Sequence, residues 1–228
     1  MAITEEMRRE EMKELERLLL STNRSGMENL IAYIGASDFY TAPASTRFHG
    51  SFMGGLLHHS LEVYRCLDKK TSGSEHNVWR DILNEEGKEN VGNDSIIIVS
   101  LLHDICKTHF YTTELKNRKN YDPEVVAAAD RRQVKHDGNG DFIWETVPSY
   151  AVDDKVPYGH GEKSVMMIEN YIALKPVERY AIRWHMGFAE PKEFYGTLTA
   201  AIEKYPLILA LHEADLEASY VMEERNGT

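Results

Sequence analysis

Apolar residues recur at helical spacing along most of this chain. Over residues 3–20, Met7, Leu15, Leu18 and Leu19 share one side of an otherwise charged stretch, which predicts an amphipathic helix packed on the domain or on a partner chain. Glycine and proline mark the ends of several further patterns. The predicted helices after the first are 27–35, Leu56–Lys69, 164–173, Val177–Met186 and 207–219.

The most apolar of these patterns is Ser95–Lys107, which predicts a buried helix capped by Asn93, Asp94 and Ser95. His103 and Asp104 stand side by side near its end. A buried carboxylate costs several kcal/mol unless it is paired or bound to a metal ion. Taken alone, the pair is also explained by a core histidine beside a capping aspartate.

Period-two alternation is confined to 133–152, where Asp137-Gly-Asn-Gly140 predicts the turn of a β-hairpin. The stretches 38–49 and 71–93 are interpreted as loops, with a helical turn at Trp79–Leu83. The predicted class is therefore all-α with one small hairpin insertion. We expect N-terminal helices in 1–35 that pack on a single domain over 36–222.

Positive charge is concentrated after the His-Asp pair. The stretch Thr108–Asn120 is interpreted as a loop, and its bases are followed by three more. Two interpretations stay open for it, a solvated loop and a rim that steers phosphate toward a nearby site. The residues concerned are Lys116, Arg118, Lys119, Arg131, Arg132 and Lys135.

The composition argues against several classes of function. The 228 residues carry 37 acids against 26 bases, a net charge of −11, which argues against an extended nucleic-acid surface. No apolar run reaches the ~18 residues of a membrane span, and no secretory segment is evident. Cys66 and Cys106 fall in apolar helical patterns, so we expect reduced core residues in a cytoplasmic protein.

Polar residues interrupt the apolar stripes of four other segments. His59 shares a stripe with core residues, whereas the neighbouring His58 shares one with charged residues that we interpret as the solvent face. His160 precedes a helix, His185 ends one, and Asp215 lies on an apolar stripe. Individually, each histidine has another explanation. His59 could be a core histidine whose hydrogen bonds are satisfied, and His160 could be an ordinary loop residue. His185 is favoured at a helix C-terminus by the helix dipole.

Considered together, these residues predict a site for one or two divalent metal ions. Imidazole and carboxylate ligands suit Mn, Fe, Co, Ni or Zn, with Mg possible. Cysteines spaced for a structural zinc site are lacking. An open His/Asp site activates water, and two ions ~3.5–4 Å apart would clamp both oxygens of a phosphoryl transfer.

The ordered set resembles the HD-domain metal-dependent phosphohydrolase superfamily. Its pattern matches His59, His103-Asp104 and Asp215, and His160 and His185 match the histidines of two-metal members. Ala42–His49 with Gly54–His59 is similar to the start of the HD domain in bacterial HD-type 3′–5′ exoribonucleases. Leu101–Lys107 is also close to that family, with Cys106 where glycine is common. The resemblance covers roughly 38–220.

The resemblance implies a helical bundle that cleaves a phosphate ester of a nucleotide or a short nucleic-acid end with metal-activated water. His59, His103, Asp104 and Asp215 would hold the first ion, and His160 and His185 the second, with Asp104 bridging. Lys107 would act beside Asp104 in catalysis by contacting the substrate phosphate. Arg47 is a second candidate for a phosphate contact, and His49 lies close enough in sequence to His59 to line the pocket.

Some features depart from those relatives. Only about forty residues precede the resemblance, too few for the OB domain of the exoribonucleases, so we do not expect processive RNA degradation. A Gly-Tyr-Pro motif, found in cyclic-dinucleotide phosphodiesterases, is missing. Two alternatives stay open: a phosphodiesterase of oligonucleotides or cyclic nucleotides, and a non-catalytic sensor that grips phosphate through its metal. The expected partner is a small phosphorylated substrate, and the first helix offers a route to an oligomer.

Overall fold

The computed structural model describes residues 3–72, 77–85 and 89–222, and most of them are helical, as predicted. Within these residues, no helix is both long enough and apolar enough to cross a bilayer. Short 3-10 helices cover Ile105–Lys107, Gly187–Ala189 and Lys192–Phe194. The α-helices are α1 (Glu5–Ser21), α2 (Met27–Ala36), α3 (Gly55–Thr71), α4 (Val78–Leu83), α5 (Asn93–Leu102), α6 (Pro123–Ala128), α7 (His160–Glu169), α8 (Pro176–Trp184), α9 (Tyr195–Lys204) and α10 (Leu207–Glu217).

Helix α5 runs through the middle of the core. Every residue from Ser95 to Leu102 is buried, and the same apolar cluster includes Leu15 of α1, Leu30 of α2 and Leu211 of α10. A helix that is apolar on all sides is stable only when other helices surround it. The apolar run of the sequence therefore marks the centre of the molecule.

The predicted helix through Lys107 is too long, because α5 ends at Leu102. Beyond it, the backbone N–H of Lys107 bonds to the carbonyl of Asp104, and that of Thr108 bonds to Ile105. These three-residue steps are the tighter 3-10 geometry. The change of geometry leaves Asp104 at the junction between the two helical segments.

Arg24 ties the N-termini of three helices together. Its guanidinium, which lies just before α2, bonds to Asp94 at the start of α5 and to the buried carboxylate of Glu178 in α8. Ser95 Oγ donates a 2.7 Å hydrogen bond to Glu178 Oε1, and Lys175 Nζ lies 3.0 Å from Asp94 Oδ2. Carboxylates at helix N-termini are favoured by the helix dipole, and the arginine compensates their burial.

An antiparallel sheet is formed by the part of the chain between α5 and α7. Its strands are β1 (Tyr111–Asn120), β2 (Lys135–Asp137) and β3 (Gly140–Val152), in the order β1-β3-β2. The predicted hairpin is confirmed as β2 and β3. The loop interpretation of 108–120 is wrong, since β1 pairs with β3 along its whole length, and α6 follows it. We call residues 111–152 the arm.

The arm carries its own ion pairs. Lys116 lies 2.8 Å from Glu114, and Arg118 lies 3.4 Å from Glu145. Lys119 forms an ion pair with Asp137, and Arg132 forms one with Asp130. Because acids of the arm neutralise four of the six bases, the structure favours the solvated interpretation over the phosphate-steering rim.

His58 corrects a second expectation. The stripe that it shares with Glu62 and Arg65 is predicted to be a solvent face, but it packs against α1. His58 Nδ1 lies 2.6 Å from Glu11 Oε1, and Arg65 Nη2 lies 2.7 Å from Glu14 Oε2. The charged character of the stripe reflects ion pairing between two helices, which its spacing alone does not distinguish from exposure to water.

Candidate metal centre

The six residues predicted as metal ligands lie in one cluster, in which four histidines face the carboxylate of Asp104 and Asp215 joins them beside His59. Each comes from the end or the inner face of a helix. Helix ends carry N–H and C=O groups without an intrahelical partner, and these groups can hold a side chain in place. His59 belongs to α3, His103 follows α5, His160 begins α7, His185 follows α8, and Asp215 belongs to α10.

The two oxygens of Asp104 face different pairs of histidines. Oδ2 lies 3.6 Å from His59 Nε2 and 3.4 Å from His103 Nε2. Oδ1 lies 2.7 Å from His160 Nε2 and 3.6 Å from His185 Nε2. A carboxylate placed in this way can belong to two neighbouring groups of ligands at once.

Three groups of ligand atoms each fall within 4.8 Å of one another. The first is His59, His103 and Asp104, the second is His103, His185 and Asp215, and the third is Asp104, His160 and His185. Asp215 Oδ1 also lies 3.3 Å from His59 Nε2. The described His/Asp groups could therefore hold a divalent metal ion.

Two buried ring nitrogens provide a direct test of this fit. Nδ1 of His103 lies 2.8 Å from the carbonyl of Ser100, and Nδ1 of His185 lies 2.7 Å from that of Ile182. These bonds place the proton on Nδ1 and leave Nε2 as a lone-pair donor. Both Nε2 atoms are buried and have no hydrogen-bond partner among the described residues, as expected for metal ligands.

Charge around Asp104 is balanced by cations. Burial alone would raise the pKa of Asp104, but the charge of the adjacent Lys107 ammonium, together with that of His160, outweighs it and holds that pKa well below its usual range. Burial opposes charge on His160 too, yet the adjacent Asp104 carboxylate raises the pKa of His160 to about 9. Asp215 likewise has a lowered pKa, because its hydrogen bond and charge interaction with His59 overcome burial.

Glycines allow the close contacts that assemble the site. A Cβ on Gly161 would lie 2.2 Å from the carbonyl oxygen of Arg183, so only glycine lets the start of α7 approach the end of α8. This contact brings His160 and His185 together. At the first residue of α3, a Cβ on Gly55 would lie 1.9 Å from the carbonyl oxygen of Gly50.

No protein-family model, curated protein sequence or solved structure matches the chain. The geometry of the centre is therefore the basis for its chemistry.

The structure separates the three residues predicted to bind substrate. Lys107 Nζ lies 2.6 Å from Asp104 Oδ2 and is mostly buried. The His49 ring lies 5.0 Å from the ring of His59, so it reaches the edge of the cluster. Arg47 is exposed two residues earlier in the loop and makes no hydrogen bond or ion pair with the described residues.

Three neighbours of the centre were not predicted to take part in it. Cys106 Sγ lies 3.2 Å from His160 Nδ1, and His212 Nδ1 lies 2.7 Å from the carbonyl of His185. Tyr111, at the base of the arm, donates a 3.0 Å hydrogen bond to the carbonyl of Ala44, and burial raises its pKa to about 12. Proximity in sequence to His103-Asp104 could have identified Cys106, but nothing in the sequence identifies Tyr111.

Proposed function

We propose that this chain is a metal-dependent phosphohydrolase of the HD type, acting on a phosphate ester of a nucleotide or of a short nucleic-acid end. One observation carries the proposal. The buried Nε2 atoms of His103 and His185 lack a hydrogen-bond partner among the described residues and lie 3.4 and 3.6 Å from the oxygens of Asp104. A buried lone pair facing a carboxylate is costly unless a cation joins them.

The ligands divide into two positions that share Asp104. His59, His103, Asp104 and Asp215 would hold one ion, and His160 and His185 would hold a second beside Asp104 Oδ1. Imidazole and carboxylate ligands favour Mn, Fe, Co or Ni, and Zn and Mg are also compatible. When bound, such an ion supplies Lewis acidity toward a phosphoryl oxygen and lowers the pKa of water.

The chain's own residues prepare the site for a phosphate. Asp104 fixes the spacing of the histidines, and the carbonyls of Ser100 and Ile182 fix their rotation. Lys107 holds an ammonium against Asp104, so a positive charge is already oriented where a substrate phosphate gains negative charge. His49 lines the edge of the cluster, where it can contact the organic part of the substrate.

Within this proposal, a mononucleotide is favoured over an oligonucleotide. Four of the six bases of the arm that could track a phosphate backbone, Lys116, Arg118, Lys119 and Arg132, are paired with acids of the arm. A polyanion contacting several free bases would give a steep dependence of affinity on salt. We expect a shallow dependence, measured as KM over a range of salt concentrations. A steep slope would favour the oligonucleotide alternative.

The direct experiment combines metal analysis with a phosphate-release screen. The purified chain is loaded in turn with Mn, Fe, Co, Ni, Zn or Mg and tested on a panel of nucleotides. We expect bound metal and turnover in the wild-type chain and neither in His103→Ala or Asp104→Asn. The control His136→Ala changes an exposed histidine that pairs with Asp141 on the arm, and both properties should persist.

Two results would refute the proposal. A chain that binds none of these ions lacks the centre altogether. A chain that binds metal and nucleotide but releases no phosphate from any member of the panel is the sensor, not the hydrolase.

A further inference from the structure

The histidines around Asp104 are not supported equally. Each of three rings turns Nε2 toward the carboxylate and Nδ1 away from it. His103 and His185 have a backbone carbonyl behind Nδ1, at 2.8 and 2.7 Å. His160 has instead the sulfur of Cys106, at 3.2 Å.

A thiol is a weaker acceptor than a backbone carbonyl. The partner behind a ligating histidine fixes its ring orientation, and changing that partner typically alters metal affinity 10–100-fold. His160 is also the most open of the three, with 29% of its side chain exposed against 0% for both His103 and His185. Both differences make His160 the least constrained ring.

Cys106 is nevertheless well placed to hold this ring. It is only 2% exposed, and its backbone N–H donates a 3.3 Å hydrogen bond to Ser164 Oγ. Ser164 lies one turn after His160 on α7, so the thiol is anchored to the helix that carries the ligand. The sulfur therefore moves together with the imidazole that it supports.

Building on the proposed function, we propose that Cys106 is a positioning residue for His160. The position formed by Asp104, His160 and His185 is then the weaker and more exchangeable of two metal positions. The position formed by His59, His103, Asp104 and Asp215 is independent of the thiol, because His103 is held by a carbonyl. The identity of residue 106 thus sets how fully the second ion is retained.

The test is an equilibrium titration of the metal-free chain with Mn²⁺, with the free ion measured by electron paramagnetic resonance. Four proteins are compared: wild type, Cys106→Ala, Cys106→Ser and Cys66→Ala. Cys66 is the other buried cysteine and lies in α3, so its variant controls for the loss of a core thiol. Thermal unfolding of each metal-free protein shows whether the fold is retained.

We expect two dissociation constants in the wild-type chain. Cys106→Ala should raise the larger dissociation constant about tenfold and leave the smaller one unchanged. Tenfold is the low end of the range for partners of a ligating histidine, because sulfur accepts a hydrogen bond weakly. Cys106→Ser, whose hydroxyl can accept the same bond, should restore the wild-type value. Cys66→Ala should bind both ions like the wild type.

The inference and the function fail in different ways. If Cys106→Ala leaves both constants within twofold of the wild type, or raises both equally, the positioning role is refuted while turnover stands. A wild-type chain that binds one ion at saturation and still releases phosphate also overturns the inference alone. A chain that binds no Mn²⁺ and releases no phosphate with any of the metals overturns both.

Discussion

Asp104 has four imidazoles and one ammonium within 3.6 Å of its carboxylate, and this neighbourhood keeps it ionised despite burial. This ionisation favours metal affinity, since a metal ion entering the centre would meet a carboxylate that needs no deprotonation. Lys107 contributes most to this ionisation.

Lys107→Met separates a substrate role from a structural one. We expect turnover to fall by at least tenfold and by as much as ~10²–10³, because a preoriented cation beside the transferring phosphate is lost. Metal content should persist, since the six ligands are intact. Lys116→Met, at an exposed lysine of the arm, is the control. Unchanged turnover with a lowered melting temperature would limit Lys107 to stabilising Asp104.

His160 gives the metal-free chain a pH dependence of defined sign. Its pKa rises from 6.5 to about 9 on folding, so its stabilisation is complete below pH 6.5 and is lost as pH rises toward 9. In the presence of a chelator, the melting temperature of the wild type should fall over this interval more steeply than that of His160→Gln. His136→Gln should keep the wild-type slope, and equal slopes in all three proteins would contradict the assignment.

At the scale of elements, the contact between α7 and α8 decides whether the group formed by Asp104, His160 and His185 exists. Gly161→Ala would place a methyl group against the carbonyl of Arg183 and push the two helices apart. We expect a loss of about 1–3 kcal/mol in the free energy of unfolding, the usual range for overpacking, together with weaker metal binding.

Gly196→Ala is a matched control for this substitution. Gly196 lies in α9, and nothing stands within 4 Å of its added Cβ. Alanine there should be neutral or stabilise the helix by up to ~1 kcal/mol, and metal content should not change. Urea unfolding and metal analysis of both variants measure the difference, and equal behaviour would show that the α7–α8 contact tolerates a methyl group.

The elements differ in how well their sequences predict them. Helices α5 and α10 follow from apolar runs, because burial on several sides requires apolar residues. Strand β1 does not follow from its sequence, since residues 112–118 are exposed on both faces and burial imposes no alternation on them. The end of α5 also differs from the predicted end at Lys107, because apolar spacing does not distinguish an α-helix from the 3-10 turn that follows it.

At the scale of the whole molecule, Arg24 joins parts of the chain that are distant in sequence. Arg24→Met would leave the buried carboxylate of Glu178 without its cation, and removing one partner of such a pair costs about 3–5 kcal/mol. Arg9→Met breaks an exposed pair with Glu5 and should cost under about 1 kcal/mol. Denaturant unfolding measures both values, and similar losses would contradict a central role for Arg24.

The site was more predictable than its surroundings. The six His/Asp residues follow from the sequence because each is polar on or beside an apolar stripe, and the structure brings them into groups that could hold a metal ion. The contacts of Cys106, His212 and Tyr111 could not be predicted in the same way. They depend on which backbone and side-chain groups long-range packing brings within bonding distance, and spacing along one helix does not contain that information.

The order in which the ligands leave the ribosome bears on when a metal ion can be captured. His59 lies in α3 and Asp215 in α10, and these two helices pack directly on each other. At ordinary rates of synthesis, on the order of ten seconds separate their emergence. During that time, an ion could meet only a partial set of ligands. Under the proposed function, metal capture would therefore complete the folding of this chain, in contrast to a zinc finger, where the ion starts it.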